Sequence, residues 1–338
     1  GFDRMVEKSS APRGRDFLHH TAFWRILQPA AAQRLAGRRR GCYNKKRIFM
    51  GRRRGCPGRK GGRDPAAGPK QGAMVMEMTF SKRLDLFGPG IFAALNDKKI
   101  ALEAQGRILY NLSVGTPDFP PAPHIKQALI DAAGDDESWK YTLRDIPELL
   151  EAVGAYYRRR FGVEGITPDR VMSFSGSQDG IGHLGLALLN EGDTVLLPDP
   201  CYPVFMTGMR LGGGVPYFYP LTRENNFLPD VRSIPEAVAR KAKVMLVSLP
   251  ANPVGSVGTP ELYAEIVAFC RQYGILLVHD NAYSDIIFDG ARGGSVFNTP
   301  GAEEVAVEFF SLSKSFNVTG ARISFLVGRP DVVAACKK

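Results

Sequence analysis

The stretch best equipped for chemistry is Ser311-Leu312-Ser313-Lys314, followed eight residues later by Arg322. One lysine stands between small hydroxyl residues at the end of a largely apolar run, residues 305–310. That placement presents an amine at the edge of a buried sheet, where it could form a Schiff base with a carbonyl compound. The hydroxyls and the arginine could hold a phosphate beside it. By itself the stretch is more often just a solvated lysine at a strand end.

Four clusters upstream change that balance. Gly176-Ser177-Gln178-Asp179-Gly180 follows the apolar run 171–174, and Asp199-Pro200-Cys201-Tyr202-Pro203 follows 194–197. Asn252-Pro253-Val254-Gly255 follows 244–249, and His279-Asp280-Asn281-Ala282-Tyr283 follows 275–278. Each lies just past the carboxyl end of a predicted strand, where open α/β sheets bind ligands. Backbone amides at the start of a helix after Gly176, with the Ser177 hydroxyl, would cradle a phosphate; Ser177 as a plain helix cap is the alternative. A carboxylate at Asp280, in apolar surroundings, needs a cationic partner or several hydrogen bonds. The protonated ring nitrogen of pyridoxal phosphate would be such a partner and would make the ring an electron sink. The competing role for Asp280 is to cap the next turn. Tyr283 and Asn252 could donate to that ring's phenolate oxygen or merely hold turns. Tyr202 could stack on a planar ring or be a half-buried aromatic. His279 should point to the opposite sheet face, and His183 lies among leucines in a predicted helix, so both read as packing.

Gly180-Ile181-Gly182-His183-Leu184-Gly185 matches a GxGxxG dinucleotide fingerprint. Its first glycine should sit directly after the strand. Ser175 to Asp179 intervene, which puts the glycines inside a helix and argues against a nicotinamide dehydrogenase.

The elements that must position these groups alternate regularly. Strands are expected at 171–174, 194–197, 243–249, 275–279, 305–311 and 322–327, and helices at 91–104, 146–161, 179–190, 203–211 and 260–273. Within 91–104, Ile91, Leu95 and Ile100 fall near helical spacing. Arg158, Arg159 and Arg160 close the second helix, which suits its dipole. Short strands rich in β-branched residues read as parallel strands covered on both faces. The expected fold class is α/β, a doubly wound, mostly parallel sheet.

An apolar fraction of 44% and a charged fraction of 23% over 338 residues fit a globular chain of one large or two ordinary domains. No run approaches the length of a membrane span. Cys42, Cys56, Cys201, Cys270 and Cys336 form no CxxC pair and no metal spacing. They read as reduced thiols of a cytoplasmic protein. The net charge of +10 is unevenly spread: residues 1–73 hold 19 Lys and Arg against 4 Asp and Glu, so the remainder carries −5. Nucleic acid is therefore not an expected partner of the globular part. Gly37-Arg38-Arg39-Arg40-Gly41-Cys42 recurs as Gly51-Arg52-Arg53-Arg54-Gly55-Cys56. A segment of that composition is expected to be disordered. It reads as upstream sequence foreign to the native protein, with a nucleic-acid-binding basic arm or an organelle transit peptide as alternatives. Met74, Met76 and Met78 stand where regular patterning begins.

As a set, the residues resemble fold type I pyridoxal-phosphate enzymes. In particular they resemble class I/II aminotransferases of the aspartate aminotransferase-like and LL-diaminopimelate aminotransferase-like kind. The resemblance runs over 74–338. It rests on Asn111-Leu112-Ser113-Val114-Gly115-Thr116-Pro117-Asp118 together with the five clusters above. It implies pyridoxal 5'-phosphate as cofactor, with Lys314 holding it and, once freed by substrate, moving a proton. Asp280 would pair with the ring nitrogen, Asn252 and Tyr283 would hold the ring oxygen, and Tyr202 would stack on the ring. Ser177, Gln178, Ser311, Ser313 and Arg322 would bind the phosphate. Tyr141 would reach the phosphate of a partner subunit, which implies a homodimer. Gly115, with Asn252, would lie beside the substrate. No metal is implied. The implied activity is transfer of an amino group from an L-amino acid to a 2-oxo acid, with a carbon–sulfur lyase as the nearest rival.

The implied domains are a leader at 1–73, an N-terminal arm with part of a small domain at 74–120, and a large cofactor-binding domain at 121–338. Three features depart from the family pattern. Val254 replaces a usual Thr. The stretch from Tyr141 to Pro147 is one residue short and lacks a glycine. The chain stops at Lys338, before the C-terminal small domain and its carboxylate-clamping arginine, so this length of chain is expected to bind cofactor yet transaminate poorly.

Overall fold

The computed structural model describes residues 78–338, apart from 89, 113–114 and 291–292. The readings of residues 1–73, of Met74 and Met76, and of Ser113-Val114 lie outside the described residues. In chain order the main elements are α1 (Ile91–Glu103), α2 (Pro123–Ala133), α3 (Pro147–Phe161), β1 (Val171–Phe174), α4 (Ser177–Leu188), β2 (Thr194–Asp199), α5 (Pro203–Leu211) and β3 (Val215–Pro220). There follow β4 (Ala242–Ser248), α6 (Pro260–Tyr273), β5 (Leu276–Asp280), β6 (Ala306–Ser311), β7 (Ser324–Gly328) and α7 (Pro330–Cys336).

The seven strands form one sheet in the order β1-β7-β6-β5-β4-β2-β3. Only β7 runs against its neighbours: β2 to β6 pair in parallel, and β7 is antiparallel to both β6 and β1. The expected doubly wound, mostly parallel α/β architecture is therefore present. Short strands with wholly buried patterns, such as β6 and β7, are covered on both faces. On one face Ile181, Leu184, Phe205, Met209 and Val333, from α4, α5 and α7, meet Val278, Val307 and Phe309. On the other, Tyr263, Ile266 and Cys270 of α6 meet Leu277 and Ala306. Beside them Leu150, Val153 and Tyr157 of α3 pack against Phe310 and Phe325.

Some readings need correction. Strand β3 was not expected, because Pro216 and Pro220 argue against a strand; it survives at the sheet's edge, where a missing N–H leaves no unpaired partner inside. Helices α2 and α7 were also not foreseen. Helix α4 starts at Ser177 rather than 179, which makes Ser177 its first residue. Strand β7 starts at Ser324, two residues late, because Arg322 adopts a left-handed φ of 57° that no strand accommodates. Helix α1 forms as expected, but Leu95 and Ile100 are 42% and 55% exposed, so its apolar stripe is not covered among the described residues. His183 is half exposed beside Asp179, Nδ1 to Oδ1 3.2 Å, and so belongs to the surface, not the core.

The GxGxxG glycines do lie within a helix. Their smallness serves packing: a Cβ at Gly185 would strike the backbone oxygen of Gly208 on α5, and one at Gly180 would strike the Phe309 ring. Gly185→Ala forces α4 away from α5. We expect it to lower unfolding stability by about 1–3 kcal/mol in urea titration with an unchanged slope.

Candidate active site

Six strands, β1 to β6, run the same way and end at the same edge, so whatever follows them shares one rim. Strand β7 adds to this rim by running backwards. The connection from Ser311 to Ser324 stays on this rim and joins β6 to an antiparallel neighbour instead of crossing the sheet. It begins as a single helical turn, Leu312–Ser315, which Ser311 caps by accepting the Ser313 N–H at 3.2 Å. The Leu312 N–H donates to the Ile323 carbonyl at 3.2 Å and closes the excursion. Lys314 and Arg322 thus return to the same rim.

The structure places most sequence-predicted residues together there. Lys314 Nζ donates to the Gly115 carbonyl at 2.8 Å and lies 5.9 Å from the Tyr283 ring centre. Burial and then the charge of Arg322 hold its amine below the usual lysine range. Asn252 Nδ2 donates to the Tyr283 hydroxyl at 3.3 Å, which couples the ends of β4 and β5. The Tyr283 and Tyr202 hydroxyls are both raised, first by burial and then by the negative charge of Asp280; Arg322 partly offsets this at Tyr202. Tyr202 packs edge-on against Phe205, at 5.8 Å between ring centres.

Asp280 ends β5 and is 5% exposed. Its Oδ1 has no hydrogen-bond partner among the described residues. Burial pushes its pKa up to about 6, against the charge of His279 and the Ala282 amide, with a smaller upward push from Glu308. Ser177 Oγ is likewise buried and unpartnered. Gly176, at φ 95°, caps α4, and a Cβ there would collide with the Arg322 guanidinium. The guanidinium therefore approaches the helix start closely, next to its free amides. Gln178 is exposed on the first turn of α4, and Ser313 is buried beneath Lys314. Tyr141 is 90% exposed and stands outside this cluster, on a cleft of about 900 Å³ that Arg322 also lines.

Sequence reasoning missed the supports. Tyr156 donates to Asp285 at 3.1 Å and Arg160 pairs with it at 2.5 Å, which ties α3 to the loop carrying Tyr283. Arg160 therefore does more than complement a helix dipole. Glu308, a carboxylate within the otherwise apolar residues 305–310, was the available signal for a second support. It meets His279 on the far face of the sheet. His279 is buried as expected, but within a polar network.

A site of this kind fits a planar, phosphorylated, cationic ring with an aldehyde. The unpaired Asp280 oxygen awaits a cationic N–H, and the unpaired Ser177 hydroxyl and Arg322 await an anion. Among the described residues no group of three or more His, Cys, Asp or Glu could hold a metal ion, and no helix is long and apolar enough to cross a membrane. Cys201, Cys270 and Cys336 are free thiols.

Residues 107–338 match the family model described as aminotransferase class I and II. The chain is 46% identical over 253 residues to LL-diaminopimelate aminotransferase 2 of Trichormus variabilis, covering 74% of this chain and 65% of that protein. It is 42% identical over 260 residues to LL-diaminopimelate aminotransferase of Syntrophobacter fumaroxidans, covering 77% and 67%. Among solved structures, substrate-bound BacF from Bacillus subtilis superposes with a TM-score of 0.74 at 35% identity, covering 78% of this chain and 66% of that one. The aspartate aminotransferase of Thermus thermophilus with maleate gives a TM-score of 0.72 at 28% identity, covering 77% and 67%. The chain thus spans about two thirds of the length of these proteins, 65% for the first.

The lone carboxylate has a thermodynamic signature. Between its unfolded pKa and about 6 the folded chain holds more protons than the unfolded one, so stability falls as pH rises through that window. Asp280→Asn removes the penalty. We expect the cofactor-free variant to be more stable than the parent by about 3 kcal/mol at pH 8, with the gain vanishing towards pH 4, by urea titration at each pH.

Proposed function

The chain belongs to the aminotransferase class I and II family, and we propose that it uses pyridoxal 5'-phosphate to transfer an amino group from an L-amino acid to a 2-oxo acid. The observation that carries this reading is a part-buried amine at Lys314 on the same rim as a buried carboxylate at Asp280 with one unpartnered oxygen. When bound, the cofactor supplies a carbonyl carbon that captures amines and a ring that takes up an electron pair.

The chain's own residues do the rest. Lys314, its pKa lowered by burial and by Arg322, gives up its proton more readily and serves as the covalent anchor. Once freed, it serves as general base at the substrate's Cα, a role worth about 10²–10⁴-fold. Asp280 holds a ring nitrogen cationic. Asn252 and Tyr283, already hydrogen-bonded to each other, hold the ring oxygen, and Tyr202 covers the ring. Ser177, Gln178, Ser311, Ser313 and Arg322 hold the phosphate at the start of α4. Gly115 offers its backbone to the substrate, with Asn252 beside it.

The exposed Tyr141 supports a homodimer in which it serves the partner's phosphate, since it is 90% exposed and free to meet a second chain. We further propose LL-diaminopimelate as the first amino donor to try, on similarity to the relatives above, and the cytoplasm as location, on the free thiols.

A visible absorption spectrum tests the reading. The purified chain with added pyridoxal phosphate should show the long-wavelength band of a lysine-held cofactor. Borohydride should then fix the cofactor to Lys314, and Lys314→Ala should abolish both signals. A tag on another residue, or none, refutes the proposal. Stoichiometric loss of a 2-oxo acid marks transamination, whereas ammonia release without one marks the lyase. Gly176→Ala, which displaces Arg322, should weaken pyridoxal-phosphate binding about tenfold or more by fluorescence titration, the loss expected for one charged hydrogen bond.

A further inference from the structure

Behind Asp280, one residue back along β5, lies a second buried charge system. Successive strand residues face opposite ways, so His279 projects to the α3/α6 face while Asp280 faces α4 and α5. His279 has no exposed surface. Its Nδ1 lies 2.8 Å from Glu308 Oε2, directly across the β5–β6 register. Its Nε2 lies 3.0 Å from the Leu249 carbonyl and 3.2 Å from the Tyr263 hydroxyl.

Glu308 is equally buried and fully partnered. It accepts from the Tyr157 hydroxyl at 2.7 Å, the Ser295 hydroxyl at 3.0 and 3.1 Å, and the Val296 N–H at 2.8 Å. Burial alone would raise its pKa. The hydrogen bond and charge of His279, with those of Tyr157 and Val296, outweigh burial and hold it below the usual carboxylate range. An ionised carboxylate only accepts, so Nδ1 carries a proton. The Leu249 carbonyl only accepts, so its 3.0 Å approach to Nε2 is a hydrogen bond when Nε2 carries a proton, with the Tyr263 hydroxyl then donating to the same carbonyl at 3.2 Å rather than to Nε2.

We infer that His279 is a buried imidazolium paired with Glu308, and that it is a positioning residue which supplies a fixed positive charge behind Asp280 and keeps that carboxylate ionised for a cationic ring. Consecutive Cα atoms are about 3.8 Å apart, so no residue outside the active-site rim lies closer along the chain. The charge of His279 opposes the burial that raises Asp280, and Glu308, farther off, pushes back less. The titratable groups around the imidazole are Glu308 from β6 and Tyr263 from α6, with Tyr157 of α3 reaching Glu308 from its other side. Without the imidazolium, Asp280 would drift towards its neutral form, which cannot hold a ring nitrogen cationic. The second half of this inference rests on the proposed cofactor; the charge state of His279 does not.

Nitrogen-15 NMR of the full chain tests the charge directly. Of the chain's 5 histidines, His279 is the buried one among the described residues, and its ring N–H signals, expected to resist exchange, are assigned by their loss in His279→Gln. Both ring nitrogens should carry protons at about pH 7 to 8, and one unprotonated nitrogen there would overturn the inference. Titration calorimetry at about pH 6, near the Asp280 midpoint, tests the role. His279→Gln and Glu308→Gln should each weaken pyridoxal phosphate about fivefold there, the loss of ionised Asp280 that a rise of about one unit produces. Inorganic phosphate, which needs only the Arg322 cradle, should bind within about twofold of the parent. Equal weakening of both probes would mark a merely structural role and sink the positioning claim. If the parent chain binds no pyridoxal phosphate while His279 is doubly protonated, the proposed function fails and the imidazolium stands. If the cofactor binds and His279 is neutral, the inference fails alone.

Discussion

A carboxylate in a dry site is tolerable only opposite a positive charge, and among the described residues Asp280 has no such charge in front of it. Removing that group from water disfavours its ionised form by far more than any one hydrogen bond restores. The residues around it make sense as the other walls of a space shaped for a cation. Tyr202 and Tyr283 narrow the space, Asn252 fixes Tyr283, and Lys314 stands beside Tyr283. The chain accepts lower stability when empty in return for a site already organised when filled, because no side chain must move to create the charge.

The sheet makes this possible by a reversal of direction. Parallel strands deliver their carboxyl ends to one rim but send their amino ends to the other. By running antiparallel, β7 brings its beginning to the crowded rim, so that eight residues of chain suffice to place a lysine and an arginine in one site. Arg322 reaches it in a left-handed backbone conformation that non-glycine residues rarely adopt. Gly176 clears the space for its guanidinium. These two backbone features place a fixed cation at the start of α4, where the free amides already favour an anion.

Membership of the aminotransferase class I and II family accords with this layout, and the sheet's far face adds a support that belongs to this chain's own residues. There a histidine and a glutamate sit with every polar atom engaged, at the level of the strand where Asp280 begins. A buried pair of that kind contributes little net stability against an apolar equivalent. Its geometry nevertheless fixes a charge, and a fixed charge in a medium of low dielectric acts strongly on its neighbour.

The amino-acid sequence by itself determined the α/β alternation, most strand and helix bounds to within two residues, and which polar clusters follow the strands. Apolar runs of β-branched residues have few alternatives to buried strands, and short polar clusters after each run must fall on the rim. It was silent on β3, whose prolines are acceptable only at an edge, and edge position is a property of the assembled sheet. It could not reveal that β7 runs backwards, because strand direction depends on what the connection can span. It read His279 as packing and left Glu308 unread, because an ion pair between residues 29 positions apart exists only once β5 and β6 lie side by side. Local pattern reports which residues must be buried; tertiary structure alone decides which buried charges meet.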